Sequence, residues 1–378
     1  MKHKLFYFVL SVWCLCGLIG CATARNPLAS APISEAEPEP AEPPTPVPAV
    51  VYTNTLSLEE QAAQIFFVRC PDIDATTLAQ EHNIGGYILF GRDFEGQTPD
   101  SIRETIDAYQ AAAKTPLLIG VDEEGGSVVR VSQYPAFREK AFFAPRSLAK
   151  QGGAALLTQD TQEKDALLSS LGINVNLAPV CDFSDNPTDF IYPRACGDTP
   201  EETAEYIRAI VEQMTRDNMG MVLKHFPGYG NNVDTHTGIA LDERPLSQFQ
   251  TVDFLPFEAG IAANAQAVLV NHNIVACMDN TLPASLSPAV HEILRDELNF
   301  SGVIMTDDLI MDAIAEYTDG EEAAVLAVQA GNDMLISSDF ETQYQAVLSA
   351  VQNGVLTEDQ IYNAALHIIQ WKMTLGLL

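Results

Sequence analysis

Met221-Val222-Leu223-Lys224-His225-Phe226-Pro227-Gly228-Tyr229-Gly230 is an apolar run that stops abruptly on two side chains able to carry charge. Proline and glycine then break the backbone, and a loop delivers Asp234-Thr235-His236. Short continuous apolar runs suit strands buried on both faces of a parallel sheet, which puts Lys224 and His225 at a carboxyl end. In an extended loop, residues two apart point the same way. The carboxylate of Asp234 can therefore hold the imidazole of His236 in one tautomer and raise its basicity, making His236 a candidate proton shuttle. A loop-closing hydrogen bond is the other role open to an isolated Asp-x-His pair, since a catalytic assignment needs a full site.

The same pattern recurs along the chain. Apolar, β-branched runs occupy 65–68, 86–90, 117–121, 173–180, 221–223, 267–270, 302–305 and 333–336. Helical patterns lie between them at 99–114, 201–218, 287–298, 320–330 and 341–353, often preceded by Asp or Thr as a cap, and 357–372 closes the chain. Eight strands, each followed by helical sequence, predict a (β/α)8 barrel, with a doubly wound open sheet as the alternative. The polar residues favour the barrel. Asp122, Asp182, Lys224, His225, Asn271, His272 and Asp307 each lie at or just past the carboxyl end of a strand, where barrel sites are built.

The ends of the chain read differently. Lys2, His3 and Lys4 precede an apolar run, 5–19, too short for a comfortable membrane span. It ends in Leu18-Ile19-Gly20-Cys21, which resembles the bacterial lipoprotein cleavage box. That resemblance implies removal of residues 1–20, with Cys14 and Cys16, and a lipid on Cys21 holding the protein to the outer face of the cell membrane. Residues 21–53 are rich in proline and glutamate, the composition of an extended tether. Residues 54–378 form one domain's worth of chain. The net charge of −31 argues against nucleic acid as a partner. Cys70, Cys181, Cys196 and Cys277 are scattered without ligand spacing, so no metal is expected, and no disulfide pairing can be assigned. A monomer is expected.

Thr306-Asp307-Asp308-Leu309 supplies the second half of a chemistry. A carboxylate at the tip of a buried strand is rigidly held and faces the pocket, while one of the two aspartates is free to cap the next helix. A carboxylate nucleophile with a separate proton shuttle is the plan of retaining glycoside hydrolysis. The sugar hydroxyls need strong hydrogen-bond partners, for which Asp122, Glu124, Arg130, Arg194, Lys224 and His225 are candidates.

These residues carry a family resemblance over nearly all of 56–376. Gly85-Gly86-Tyr87-Ile88-Leu89-Phe90, Asp122-Glu123-Glu124-Gly125-Gly126-Ser127-Val128-Val129-Arg130, Asn176-x-Ala178-Pro179-Val180-x-Asp182, Arg194-Ala195-x-Gly197, Lys224-His225-Phe226-Pro227-Gly228, Pro283-Ala284-Ser285-Leu286-Ser287 and Thr306-Asp307-Asp308-Leu309 keep the family's order. The chain resembles the β-N-acetylglucosaminidase (β-N-acetylhexosaminidase) branch of glycoside hydrolase family 3. The resemblance implies Asp307 as nucleophile, His236 oriented by Asp234 as acid/base, and Asp122, Arg130, Arg194, Lys224 and His225 as ligands of the terminal sugar. His272 aligns with a pocket segment. Glu123, Ser127, Cys196 and Tyr229 depart from the family's usual residues, which is expected to alter the pocket rim. The implied activity is release of terminal β-linked N-acetylglucosamine from peptidoglycan fragments or related glycans, with no cofactor. A β-glucosidase or a phosphorylase on the same machinery is the near alternative. A non-catalytic sugar-binding lipoprotein is the distant one, and it would need neither Asp307 nor the Asp234-His236 pair.

Overall fold

The computed structural model describes residues 47–232, 238 and 240–378. Cys21, most of the tether, Asp234 and His236 lie outside the described residues. Eight parallel strands follow the chain: β1 (Phe66–Arg69), β2 (Gly86–Leu89), β3 (Leu118–Val121), β4 (Val175–Asn176), β5 (Gly220–Phe226), β6 (Ala267–Val270), β7 (Val303–Thr306) and β8 (Leu335–Ser337). They pair in the order β8-β1-β2-β3-β4-β5-β6-β7. The two ends of that sheet then meet. Met305 bridges Met334, and the Thr306 and Leu309 amides donate to the Met334 and Ile336 carbonyls at 3.1 and 3.2 Å. The sheet closes on itself, as the barrel expectation requires.

Strand alternation sorts the side chains. Phe66 points outward onto Phe340 and Tyr344, with ring centroids 5.3 and 6.2 Å away. Phe67 therefore points inward, where it meets Gly120 of β3 and Leu177. A Cβ at Gly120 would sit 2.5 Å from the Phe67 ring and 3.0 Å from Leu177, so only glycine admits the ring to the barrel centre. The same alternation sends Arg69, two residues on, toward the carboxyl end of the interior.

All eight expected runs are strands, and two have informative boundaries. Run 173–180 is regular only over β4, although the Val222 and Lys224 amides still donate to the Ala178 and Pro179 carbonyls beyond it, at 3.0 and 3.3 Å. Run 221–223 grows into β5, so Lys224 and His225 belong to the strand itself. The caps are also in place: Thr98, Thr199, Asp319 and Thr357 each accept from the backbone amide three residues on. Other elements were not legible, among them the helix Pro145–Ser170, interrupted at Gly153, the helices Ala75–Glu81 and Phe254–Ala262, and the two-stranded parallel ribbon of Leu241–Asp242 with Ile274–Val275.

The folded body begins earlier than the expected residue 54. Pro48–Thr53 is helical, and Ala49 and Leu56 pack on Ile369 of the last helix, Glu358–Thr374. The cause is compositional, since Ala49-Val50-Val51-Tyr52 is apolar, unlike the Pro/Glu stretch before it. Cys70, Cys181 and Cys196 are buried free thiols, and Cys277 is exposed.

Lys372, on the last helix, is fully buried with Gln64 Oε1 as its acceptor at 2.8 Å and no carboxylate partner among the described residues. Burial holds its pKa well below 10.5. The unfolded chain therefore binds a proton that the folded one resists, from the folded value up to 10.5, and stability should climb with pH across that window. Lys372→Met should abolish the climb, which one proton makes as steep as about 1.4 kcal/mol per pH unit. Urea unfolding at a series of alkaline pH values checks this; identical slopes for both proteins would mean that Lys372 stays charged when buried.

Candidate active site

The site is built around an extra residue in β5. Lys224 pairs with Leu269 and Phe226 with Val270, leaving His225 as a bulge. A bulge re-aims side chains at a barrel rim, and here both Lys224 and His225 line one cavity of about 700 Å³ at the carboxyl ends of the strands. Asp122, Glu124, Ser127, Arg130, Arg194, Asp307 and Asp308 line the same cavity.

Two cations and two carboxylates form its rear wall. Lys224 Nζ donates to Asp122 Oδ1 at 2.6 Å and lies 2.7 Å from Glu124 Oε1. Arg194 grips Glu124 with both Nε and Nη2, at 2.9 and 2.7 Å. Burial works against the Lys224 charge, but Asp122 and Glu124 outweigh it and raise its pKa. Burial likewise opposes the Glu124 carboxylate, yet Lys224 and Arg194 hold it well below the usual range.

His225 has its protons assigned by its neighbours. Arg194 has no acceptor atoms, so at 3.0 Å it must donate to Nε2. Nδ1 then carries the hydrogen and donates to Asp182 Oδ2 at 2.7 Å. Burial and Arg194 lower the His225 pKa against the pull of Asp182, so the ring is neutral. Asp182 also accepts from the backbone amides of His225 and Tyr229, at 3.0 and 2.7 Å, which fixes the turn after β5.

Supporting residues explain several of the sequence motifs. Asn176 exchanges two hydrogen bonds with the backbone of Glu123, at 3.0 and 3.1 Å. The buried Glu123 carboxylate accepts from the amides of Arg130 and Val131, both at 2.8 Å, and from Ser132. It thereby shapes the loop that brings Ser127 and Arg130 to the cavity. Of the four departures, Ser127 alone reaches the cavity wall. Glu123 and Cys196 are buried away from it, and Tyr229 packs edge-on behind His225 with centroids 5.0 Å apart. The rim expectation is thus corrected for those three, which act on the scaffold.

The two aspartates after β7 separate. Asp307 lines the cavity, and its Oδ1 accepts the Asp308 amide at 2.9 Å. Asp308 does not cap a helix; the next one, Asp312–Ala315, has Met311 at its N-cap. The Asp308 carboxyl instead accepts from Ser338 Oγ and from the Ile310 amide at 3.3 Å, tying the loop after β7 to that after β8. Burial pushes its pKa up. His272 is not a cavity residue. Its Nε2 donates to the Asp308 carbonyl at 3.1 Å and its Nδ1 accepts from Ser285 Oγ at 2.7 Å, so it braces Asp308 from below.

Asp234 and His236 lie outside the described residues, but both flanks of their segment are held by one arginine. Arg244 binds Asp242 through Nε and Nη2 at 2.8–3.0 Å and Asp253 through Nη1 at 2.9 and 3.0 Å, and it donates to the Gly228 carbonyl at 3.1 Å. Asn232 joins Asp242 to the Tyr229 carbonyl, at 2.6 and 2.9 Å. Gly228, at φ 122°, lets the turn lie against Asp253, where a Cβ would fall 2.4 Å from Oδ1. Sequence reasoning missed this clasp, because a loop arginine reads as solvated until its partners are placed.

The description "Glycosyl hydrolase family 3 N terminal domain" matches residues 57–371. The chain is 35% identical over 237 residues to a beta-hexosaminidase of Xanthomonas campestris pv. campestris strain B100, covering 62% of this chain and 71% of that one. A beta-hexosaminidase of Methylococcus capsulatus is 33% identical over 275 residues, covering 71% and 80%. Among solved structures, a family 3 beta-N-acetylglucosaminidase from Paenibacillus sp. str. FPU-7 superposes with a TM-score of 0.79 at 29% identity, over 85% of this chain. The present chain spans 63% of that one's length. A family 3 glycosyl hydrolase from Mycobacterium smegmatis gives 0.77 at 26% identity, over 84% and 98%.

Arg244→Ala should cost about 3–5 kcal/mol in urea unfolding, because Asp242 and Asp253 stay buried without their cation. Asp242→Asn, which leaves Arg244 bound to Asp253, should cost less. Near-zero loss in both would show that the flanks are held by something other than the clasp.

Proposed function

The chain belongs to glycosyl hydrolase family 3, and we propose that it is a retaining exo-glycosidase that removes terminal β-linked N-acetylglucosamine. The observation that carries the chemistry is Asp307 at the tip of β7, opening onto the cavity whose rear wall is the Lys224, Asp122, Glu124 and Arg194 network. That wall supplies fixed donors and acceptors for the hydroxyls of one sugar. Asp122, Arg130, Arg194, Lys224 and His225 are assigned to it.

In the first step an Asp307 oxygen attacks the anomeric carbon as the bond to the leaving oxygen breaks. His236, oriented by Asp234, gives its proton to that oxygen. In the second step His236 takes a proton from water, the hydroxide attacks the same carbon, and the ester to Asp307 breaks. Two displacements retain the β configuration. No metal or organic cofactor enters the scheme. The lipoprotein-like start and the acidic tether support a site of action outside the cell membrane, and peptidoglycan fragments are the substrate that fits that place.

With His236→Ala, glycosides with poor leaving groups should lose about 10²–10⁴-fold in rate, whereas activated aryl glycosides lose far less in the first step. Glycosyl-enzyme should then accumulate, and azide should relieve it. Asp307→Asn should lower turnover by several orders of magnitude, and a 2-fluoro slow substrate should label wild-type Asp307. A label on Asp308 would exchange their roles. Equal loss for all leaving groups without azide rescue would return Asp234-His236 to a structural role. Rates that depend on phosphate, or a preference for β-glucosides, would select one of the near alternatives.

Location is tested separately. Full-length protein should sediment with membranes, and Cys21→Ala should change processing and release it. Unchanged processing and retention in Cys21→Ala would overturn the lipid anchor.

A further inference from the structure

The cavity has a positive corner, and one of its two arginines, Arg69, is left unused by the scheme above. Arg69 ends β1 and projects inward by strand alternation. It lines the cavity, and its guanidinium lies 4.7 Å from the centre of the Phe90 ring. Its Nε is buried without a hydrogen-bond partner, and no carboxylate of the described residues forms an ion pair with it within 4.0 Å. Arg130 sits against the same ring, at 5.8 Å. Its Nε is likewise unpartnered, and its nearest carboxylate, Asp122, is 3.8 Å away and already bound to Lys224 at 2.6 Å.

The carboxylates nearby do not pair closely with Arg69, and Asp93 acts on it only at longer range. Lys224 and Arg194 are paired with Asp122 and Glu124. Asp308 faces Ser338 and the Ile310 amide. A half-buried guanidinium without a paired carboxylate is costly, and in a chain of net charge −31 such a partner would be easy to supply. A planar fork of N–H donors on an aromatic shelf is also the geometry that recognises oxyanions.

We propose that Arg69, with Arg130 beside it, forms a subsite for an oxyanion substituent of the glycoside, so that the preferred substrate is acidic rather than neutral. This rests on the glycosidase reading and deepens it. Arg69 is a specificity-determining residue here; it takes no part in proton transfer.

The test compares three 4-nitrophenyl β-N-acetylglucosaminides: the neutral parent, its 6-sulfate, and one with a carboxylate on the aglycone ring. The two anionic forms distinguish a group carried on the sugar from one on the leaving side. Wild-type kcat/KM should favour one anionic form over the parent by about tenfold or more, the effect of a single desolvated charge contact. Arg69→Met should remove most of that preference, Arg69→Lys should keep part of it, and raised salt should weaken it. Equal kcat/KM for all three in the wild type, or a preference untouched by Arg69→Met, overturns the proposal. Should Arg69→Met fail to fold, Arg69→Lys against the wild type decides by the same ratio. If the wild type does not hydrolyse the neutral parent or either anionic form, the glycosidase reading has failed instead.

Discussion

One ammonium holds the site together. Lys224 lies between Asp122 and Glu124, and those two carboxylates come from the loop after β3, while Lys224 comes from β5. Arg194 enters from the long connection after β4 and closes the square on Glu124. Two positive and two negative charges are thus packed together, Lys224 and Glu124 buried and Asp122 and Arg194 partly exposed. Removing any of them leaves an uncompensated charge, which is far more costly than the network is stabilising. The arrangement therefore specifies a position more than it contributes stability. It sets where three barrel strands stand relative to one another at their carboxyl ends.

The neutral state of His225 follows from the same square. Arg194 satisfies Glu124 and, in doing so, presents a donor to Nε2. A protonated imidazole would face that guanidinium directly. Asp182 takes the remaining proton and, through two backbone amides, the turn beyond it. A sugar ligand meeting His225 therefore meets a fixed tautomer, and no reorganisation is needed when it binds.

How much of this the sequence revealed depends on whether a residue's meaning is local. The barrel was legible because each strand is buried on both faces and shows as an apolar run, and Lys224, Asp122 and Asp307 were legible because strand ends have a functional address. Arg244, Arg146 and Glu123 were not. Arg146 starts a helix that was itself not legible, and it reaches the carbonyls of Ser184 and Tyr192, steadying the segment that carries Arg194. Glu123, expected as a departure to alter the rim, is turned into its own loop. Their roles depend on which partners the folded loops bring to them, within one loop for Glu123 and Arg244 and about forty residues away for Arg146, and no spacing rule supplies that. His272 and Asp308 show the converse: correctly placed near the site, they serve its frame.

The helix Pro48–Thr53 has a consequence for orientation. Tyr52 Oη lies 3.1 Å from Thr115 Oγ1, and Thr115 leads into β3 from its amino end. The chain thus enters the folded body on the floor of the barrel, opposite the mouth of the cavity. Anything that pulls on residue 47 pulls on the floor. The mouth of the cavity lies at the other end of the strands, so the helix Pro48–Thr53 leaves the approach of a large ligand clear.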